Sequence, residues 1–310
     1  MTTQENKRAL AQTFSWKPTR RTALKATGLG VLTLPVLAAC SPSTTLGTQL
    51  TAAGEEHTND SADHDINEAL DALEVEHGIT ISLAVWDHAS EKLFLHKGNE
   101  WTYEASIVKV PISLTLLRKT AFEQRPLTED EKNLIEASIT YSDNPSTSEI
   151  FRRIGSYDAT DVAASSASIN KTYELLGLAN TQMGDTWGNN QAWAEDQLAI
   201  MRSIVDTVEW VNVSDAQFLL EKMIPLDWSQ TWGIGSLHHA APEGEEIFDI
   251  SVKNGWIQDE TGAWHINSVG VVRTDQVTYS IALLTKGHQD QQSGFDVASQ
   301  AIQAYFNHKG

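Results

Sequence analysis

Ser106-Ile107-Val108-Lys109 runs directly into Val110-Pro111-Ile112-Ser113-Leu114-Thr115-Leu116-Leu117, a stretch too apolar on all sides for a surface helix. It is expected to be a core helix with the Ser106 turn at its buried end. A lysine three residues after a serine projects from the same helix face, one turn away. A serine hydroxyl is a poor nucleophile until a base takes its proton, and Lys109 can be that base only when neutral. Its pKa must then fall by several units from about 10.4, through burial and through a neighbouring cation such as Lys253. Pro111 fits such a helix only within its first turns.

Upstream, Ile66, Leu70 and Leu73 recur at helical spacing and Gly78 follows as a stop, which predicts an amphipathic helix over 65–77. Ile79, Ile81, Leu83 and Val85 alternate with Thr80, Ser82 and Ala84, the pattern of a strand, and 87–90 turns it into a second strand at 91–96. From 106 to about 215 the segments read as helical, with Leu114 and Leu117 among the first apolar positions and Ile200, Ile204 and Val208 among the last. Strand patterning returns at 248–257, 265–273 and 277–284, before a final helix over about 294–307. Strands at both ends with an all-helical insertion over about 104–230 predict an α/β (α+β) class. The sheet is expected to be antiparallel and flanked by the terminal helices, with a cleft where it meets the helical lobe.

The chain has 310 residues, 41% hydrophobic and 20% charged, close to the average of globular proteins. Its net charge of −19 is unevenly spread. Residues 1–39 hold six of the 22 Lys and Arg and one of the 41 Asp and Glu, which leaves 16 cations against 40 anions and a body near −24. A surface that acidic repels phosphate backbones, so a nucleic-acid partner is not expected.

Thr19-Arg20-Arg21-Thr22-Ala23-Leu24-Lys25 precedes an apolar run from Ala26 to Ala39, short for a bilayer span and interrupted by Gly28, Gly30 and Pro35. Residues 1–39 read as a signal peptide with a paired-arginine export signature. Leu37-Ala38-Ala39-Cys40 resembles the bacterial lipoprotein box, in which the cysteine becomes the lipidated first residue. Cys40 is the only cysteine, so no disulfide forms within the chain. Residues 40–64, rich in Ser, Thr, Ala, Asp and Glu without periodicity, read as a flexible tether to a domain over 65–310. The expected location is the outer face of the cytoplasmic membrane, held by a lipid on Cys40.

Two more short motifs follow Ser106–Lys109 in order, Ser142-Asp143-Asn144 and Lys253-Asn254-Gly255. A Ser-x-x-Lys alone is expected about once in a chain of this length. A second copy, Ser168-Ile169-Asn170-Lys171, lies after Ser-Asp-Asn, out of order. The ordered triple on this layout resembles the penicillin-recognising serine enzymes, specifically the class A β-lactamase-like family, from about residue 65 to the C-terminus. The resemblance implies a β-lactamase/transpeptidase-like two-lobe fold, with Ser106 as acylated nucleophile and Lys109 as proton acceptor. It implies that Ser142 shuttles the proton to the leaving nitrogen and Asn144 holds the substrate amide. Lys253 would attract the substrate carboxylate, and the N–H groups of Ser106 and Trp256 would form an oxyanion hole. Asp143 reads instead as an anchor for its own loop.

Four features depart from that family. Asn254 replaces the usual Thr or Ser; its amide can still donate to a carboxylate, with different reach and angle. Trp256 follows Gly255 where small residues are usual. Alternation puts its side chain on the face of Asn254, where it either narrows the cleft or packs between sheet and helices. The stretch 178–194, which corresponds to the loop carrying the family's deacylating glutamate, has no glutamate; Asp185 is its one carboxylate, and Glu195 reads as a solvated first-turn acid of the next helix. The segment between Lys109 and Ser142 is much shorter than in the family, which leaves the site more open.

No metal is expected, because no His-Glu-x-x-His or Cys/His cluster occurs and His238-His239 reads as a loop pair. Glycine-rich phosphate loops are also lacking, and no cofactor is expected. Tryptophan is frequent; core packing accounts for most copies, with one or two near the cleft able to stack on cell-wall sugars. The expected function is a membrane-tethered serine hydrolase acting on β-lactam or peptidoglycan-like acyl-amide substrates. The alternatives are a D,D-peptidase or penicillin-binding protein with slow deacylation, and a non-catalytic envelope binding protein of the same fold.

Overall fold

The computed structural model describes residues 61–156, 161–226, 228–239 and 244–309. The expected export signal, Cys40 and the expected tether up to residue 60 lie outside these residues. No helix among the described residues is long and apolar enough to cross a membrane. In chain order the elements are α1 (Ser61–His77), β1 (Thr80–Asp87), β2 (Lys92–His96), β3 (Trp101–Tyr103), a 3₁₀ turn (Ala105–Val108), α2 (Lys109–Phe122), α3 (Glu129–Thr140), α4 (Asn144–Ile154) and α5 (Val162–Leu176). They continue as β4 (Gln191–Trp193), α6 (Ala194–Asp206), α7 (Val213–Lys222), β5 (Ile247–Gln258), β6 (Trp264–Thr274), β7 (Thr278–His288) and α8 (Gln291–His308).

The main sheet is antiparallel throughout, in the order β2-β1-β7-β6-β5. β1 is buried on both faces, because each face of the sheet carries its own core. Ile81, Leu83, Val85, Ile281 and Leu283 pack with α1 and α8 residues such as Leu70, Ala298 and Ile302. Ala84, Val269, Val271, Ala282 and Leu284 face the helical lobe, where α6 packs on them and residues of α2 and α3 continue the same core. α2 is the axis of that lobe: Ile112, Leu114, Leu116 and Leu117 are fully buried, each contributing roughly 1.5–3 kcal/mol of transfer free energy. Pro111 is the third residue of α2, within the first turn, where a proline is tolerated.

Several boundaries and two short strands, β3 and β4, differ from the sequence reading, and β7 runs on to His288, four residues past the expected end. α1 starts at Ser61, so the last four residues of the expected tether are helical. α8 starts at Gln291 because the Asp290 side chain accepts from Ser293 N and caps it. The central block is not all-helical: Gln191–Trp193 forms β4 and pairs antiparallel with β3, Tyr103 opposite Gln191 and Trp101 opposite Trp193. Three residues are too few to show a period, and the pairing is long-range. Its consequence is local to the site, since it folds the 178–193 loop back onto the segment that leads into Ser106.

Candidate active site

Ser106 sits in the 3₁₀ turn that feeds α2, half-buried and facing the cleft end of the core helix. Ala105 before it takes φ +48°, and Ser142 takes φ +55°. These are left-handed conformations costing on the order of 1–3 kcal/mol each for residues with side chains. Both strained positions lie at one point of the molecule, where the Ser106 turn meets the loop joining α3 to α4.

Lys109 is the first residue of α2 and is fully buried. Its Nζ lies 3.0 Å from Ser106 Oγ, 2.9 Å from Ser142 Oγ, 2.7 Å from Ser142 O and 2.7 Å from Asn144 Oδ1. Burial pushes its pKa down to about 8, against the pull of the Asp143 carboxylate, which favours the charged form. Lys253, also fully buried, reaches from β5 to within 3.1 Å of Ser142 Oγ and donates to Asn254 O at 2.8 Å. Its pKa is driven well below the usual lysine range by burial and then by the charge of Lys109. Ser142 Oγ therefore lies between two ammonium nitrogens whose charged forms are both disfavoured. Asp143 caps α4 by accepting from Ser146 N at 2.7 Å. Asn144 is exposed, and with its Oδ1 on Lys109 its NH₂ is directed elsewhere.

The third motif brings the edge strand against the nucleophile. A Cβ on Gly255 would lie 2.6 Å from Ser106 N and 2.8 Å from Ile107 N, so only glycine allows this approach. The N–H groups of Val252 and Asn254 point off the free edge of β5, to Met223 O at 2.8 Å and Gln230 Oε1 at 2.7 Å. Two-residue alternation sends the Trp256 N–H off the same edge.

Two expected substrate contacts are corrected. The Asn254 side chain is fully buried on the opposite face of β5 from Lys253, and its Nδ2 donates to Trp232 O at 3.1 Å and Ser229 O at 3.5 Å. It holds the 229–232 turn rather than facing the cleft. Trp256 turns to that same far face, its ring 5.4 Å from Phe295 and 6.1 Å from Trp232. Of the two readings of Trp256, packing between sheet and α8 is the one found.

Three residues at the site carried no signal in the sequence. Gln230, almost fully buried, satisfies the edge N–H of Asn254. Glu104, two residues before Ser106, is 1% exposed, and its Oε1 accepts from Gly188 N at 2.9 Å and Asn190 Nδ2 at 2.6 Å. Trp187, one of many tryptophans, lies with its ring centre 5.6 Å from Lys109 Nζ. Asp185 in the same loop is exposed, as is Glu195 in the first turn of α6. Elsewhere, Asp71, Glu74 and His96 lie close enough to share an ion, but Lys97 Nζ pairs with both carboxylates.

A search of curated proteins returned no match. Among solved structures, the β-lactamase from Sphaerobacter thermophilus DSM 20745 aligns with a TM-score of 0.63 at 19% identity, covering 78% of this chain and 95% of its own. A class A β-lactamase representative from Bacteroides cellulosilyticus DSM 14838 aligns at 0.66 and 14% identity, covering 80% and 98%. A mutant of PBP-A solved as an acyl-enzyme complex with penicillin G aligns at 0.63 and 18% identity, covering 79% and 95%. These likenesses establish the β-lactamase fold. The family model described as the beta-lactamase enzyme family matches residues 127–308, more than half of the chain, a span that begins after Ser106 and takes in Ser142 and Lys253. By fold and by sequence, the chain belongs to the beta-lactamase enzyme family.

Proposed function

We propose that the protein is a serine hydrolase that β-lactams, or related acyl-amide substrates, acylate on Ser106. The observation that carries this reading is the convergence of Lys109 Nζ on Ser106 Oγ and Ser142 Oγ, at 3.0 and 2.9 Å, with Lys253 Nζ behind Ser142 at 3.1 Å. Neutral Lys109 accepts the Ser106 proton as Oγ bonds to the substrate carbonyl carbon. The proton then passes by way of Ser142 to the leaving nitrogen as the C–N bond breaks. Charge on the carbonyl oxygen is met by the N–H groups of Ser106 and Trp256; losing one such donor typically costs about a hundred- to a thousand-fold in rate. Asn144, with Oδ1 engaged by Lys109, offers its NH₂ to a substrate amide carbonyl. Lys253 and Asn254 are fully buried and burial disfavours the charged form of Lys253, so neither pairs with a substrate carboxylate and Lys253 serves Ser142 instead.

A specific observation favours slow deacylation, the behaviour of a penicillin-binding protein. The loop over 178–194 turns Trp187, not a carboxylate, toward Lys109, and its one carboxylate, Asp185, is exposed. The PBP-A relative by fold is itself recorded as an acyl-enzyme with penicillin G. On this reading the chain is exported by its paired-arginine signal and tethered through Cys40 at the outer face of the membrane.

The test is intact-mass analysis after incubation with a penicillin. The wild type should gain the mass of the drug and Ser106→Ala should gain nothing; an unmodified wild type would overturn the proposal. Persistence of the adduct for many minutes supports slow deacylation, and rapid turnover of a chromogenic cephalosporin rules it out.

A further inference from the structure

Trp187 borders two spaces. Its ring centre is 5.6 Å from Lys109 Nζ, and it also lines a cavity of about 440 Å³ together with Pro145, Ser148, Asp185 and Thr186. Pro145 follows Asn144, whose Oδ1 is one of the four oxygens around Nζ. The indole thus borders both the base and the cavity beside it.

The loop that carries Trp187 is fastened to the nucleophile's own segment. Glu104 Oε1 accepts from Gly188 N and Asn190 Nδ2. The main chain doubles the contact, with Ala105 N donating to Gly188 O at 2.8 Å and Glu104 N to Asn190 O at 3.0 Å. Gly188, at φ +98°, makes the turn directly after Trp187 in a backbone region that other residues resist. Asn190 closes the loop on itself, accepting from Gly184 N and donating to Thr186 O. At the far end Asp196 accepts from the N–H groups of Ala179, Asn180 and Thr181. This is an expensive way to hold a surface loop, because Glu104 Oε2 is buried with no hydrogen-bond partner.

We propose that Trp187, clamped by Glu104, keeps water away from Lys109 and the acylated Ser106, so that the 184–190 loop sets the lifetime of the acyl-enzyme. The inference rests on the acylation reading above. Hydrolysis of the ester requires a water oxygen to bond to the acyl carbon as the carbon–Oγ bond breaks, with a proton passing from that water to a base and on to Ser106 Oγ. Lys109 is the base in contact with Oγ, and four oxygens already surround its Nζ. Trp187 stands between the cavity it lines and Lys109 Nζ, so on this proposal a water from that side reaches the base only past the indole. Burial keeps the Glu104 carboxyl protonated up to about pH 8, so the clamp is neutral and adds no second base; Tyr173 and Asp196 are the other ionisable groups in its surroundings.

The experiment follows decay of the penicillin adduct by intact mass after free drug is removed, in the full chain and in Trp187→Ala, Trp187→Phe, Glu104→Ala and Glu104→Gln. Trp187→Ala should still acquire the adduct and should lose it at least about ten-fold faster than the wild type. Trp187→Phe, which keeps an aromatic cover, should stay close to the wild type. Glu104→Ala should shorten the lifetime without touching the ring, and Glu104→Gln, whose Oε1 accepts the same two bonds, should restore it. Glu104→Ala keeps the question open to refutation should Trp187→Ala not fold. Wild-type adduct with an unchanged lifetime in these variants overturns the inference alone; a wild type that forms no adduct removes the acylation reading and the inference together.

Discussion

An ammonium group has three N–H bonds, yet Lys109 Nζ has four oxygens within 3.0 Å. In the neutral amine a hydroxyl, that of Ser106 or Ser142, donates to the Nζ lone pair while the two N–H bonds serve the remaining oxygens, one of them shared, and this is the state in which Lys109 can take a proton. With the pKa lowered to about 8, the neutral fraction rises as pH approaches that value from below and is nearly complete above it. The acylation rate should therefore climb about ten-fold per pH unit below 8 and level off beyond it. Asp143 is the residue that opposes this, since its carboxylate favours charged Lys109. Asp143→Asn keeps an oxygen to cap Ser146 N and removes the charge, so it should shift the whole profile to lower pH. Adduct formation measured against pH checks both, and a flat profile would show that Lys109 is not the titrating base. Ser106 and Lys109 were legible in the sequence because their spacing is one helical turn, and Ser142 through the ordered motifs that resemble the family. Glu104 and Trp187 were not: Glu104 finds its partners 84 and 86 residues away, and no period or motif announces such a contact.

Among elements, the contact that assembles the site is the one between β5 and the 3₁₀ turn. Strand alternation correctly set Lys253 and Gly255 on one face and Asn254 and Trp256 on the other. Which face would meet the cleft could not be read from β5 alone, because it depends on the order β2-β1-β7-β6-β5 and on which side α8 packs. The apolar periods of the long elements were likewise readable, while the three-residue β4 was lost among helices. Gly255 concentrates the consequence. Adding a methyl there would bring Cβ to 2.6 Å from the main-chain N of Ser106, and the obstructing atoms are backbone that cannot swing aside. Gly255→Ala should force β5 and the turn apart, separating the Ser106 and Trp256 N–H groups. A displacement on the order of 1 Å costs about a hundred-fold in rate. The variant should fold, with a circular dichroism spectrum like that of the wild type, and acylate at least that much more slowly; wild-type acylation would remove the oxyanion role from these N–H groups.

The whole molecule adds a long-range term that no single residue controls. Beyond the cationic first 39 residues the body carries a net charge near −24, and β-lactams are usually anions. Locally, Lys109 and Lys253 could have offset this field. Burial, however, disfavours the charge of Lys253, Lys109 gives up its charge above about pH 8 where it acts as base, and the Asn254 side chain that might have presented donors faces away. Approach of an anionic penicillin is therefore governed by repulsion from the body, a rate effect that salt screens over a Debye length of about 10 Å at 0.1 M. The second-order acylation rate should rise with ionic strength, by roughly two-fold or more between about 10 mM and 300 mM salt. A neutral ester of the same penicillin should be nearly indifferent to salt. Comparing the two at fixed pH separates the charge of the body from the chemistry at Ser106. A rate for the anion that falls with salt would mean that the lysines at Ser142 outweigh the acidic surface, and would return carboxylate attraction to Lys253.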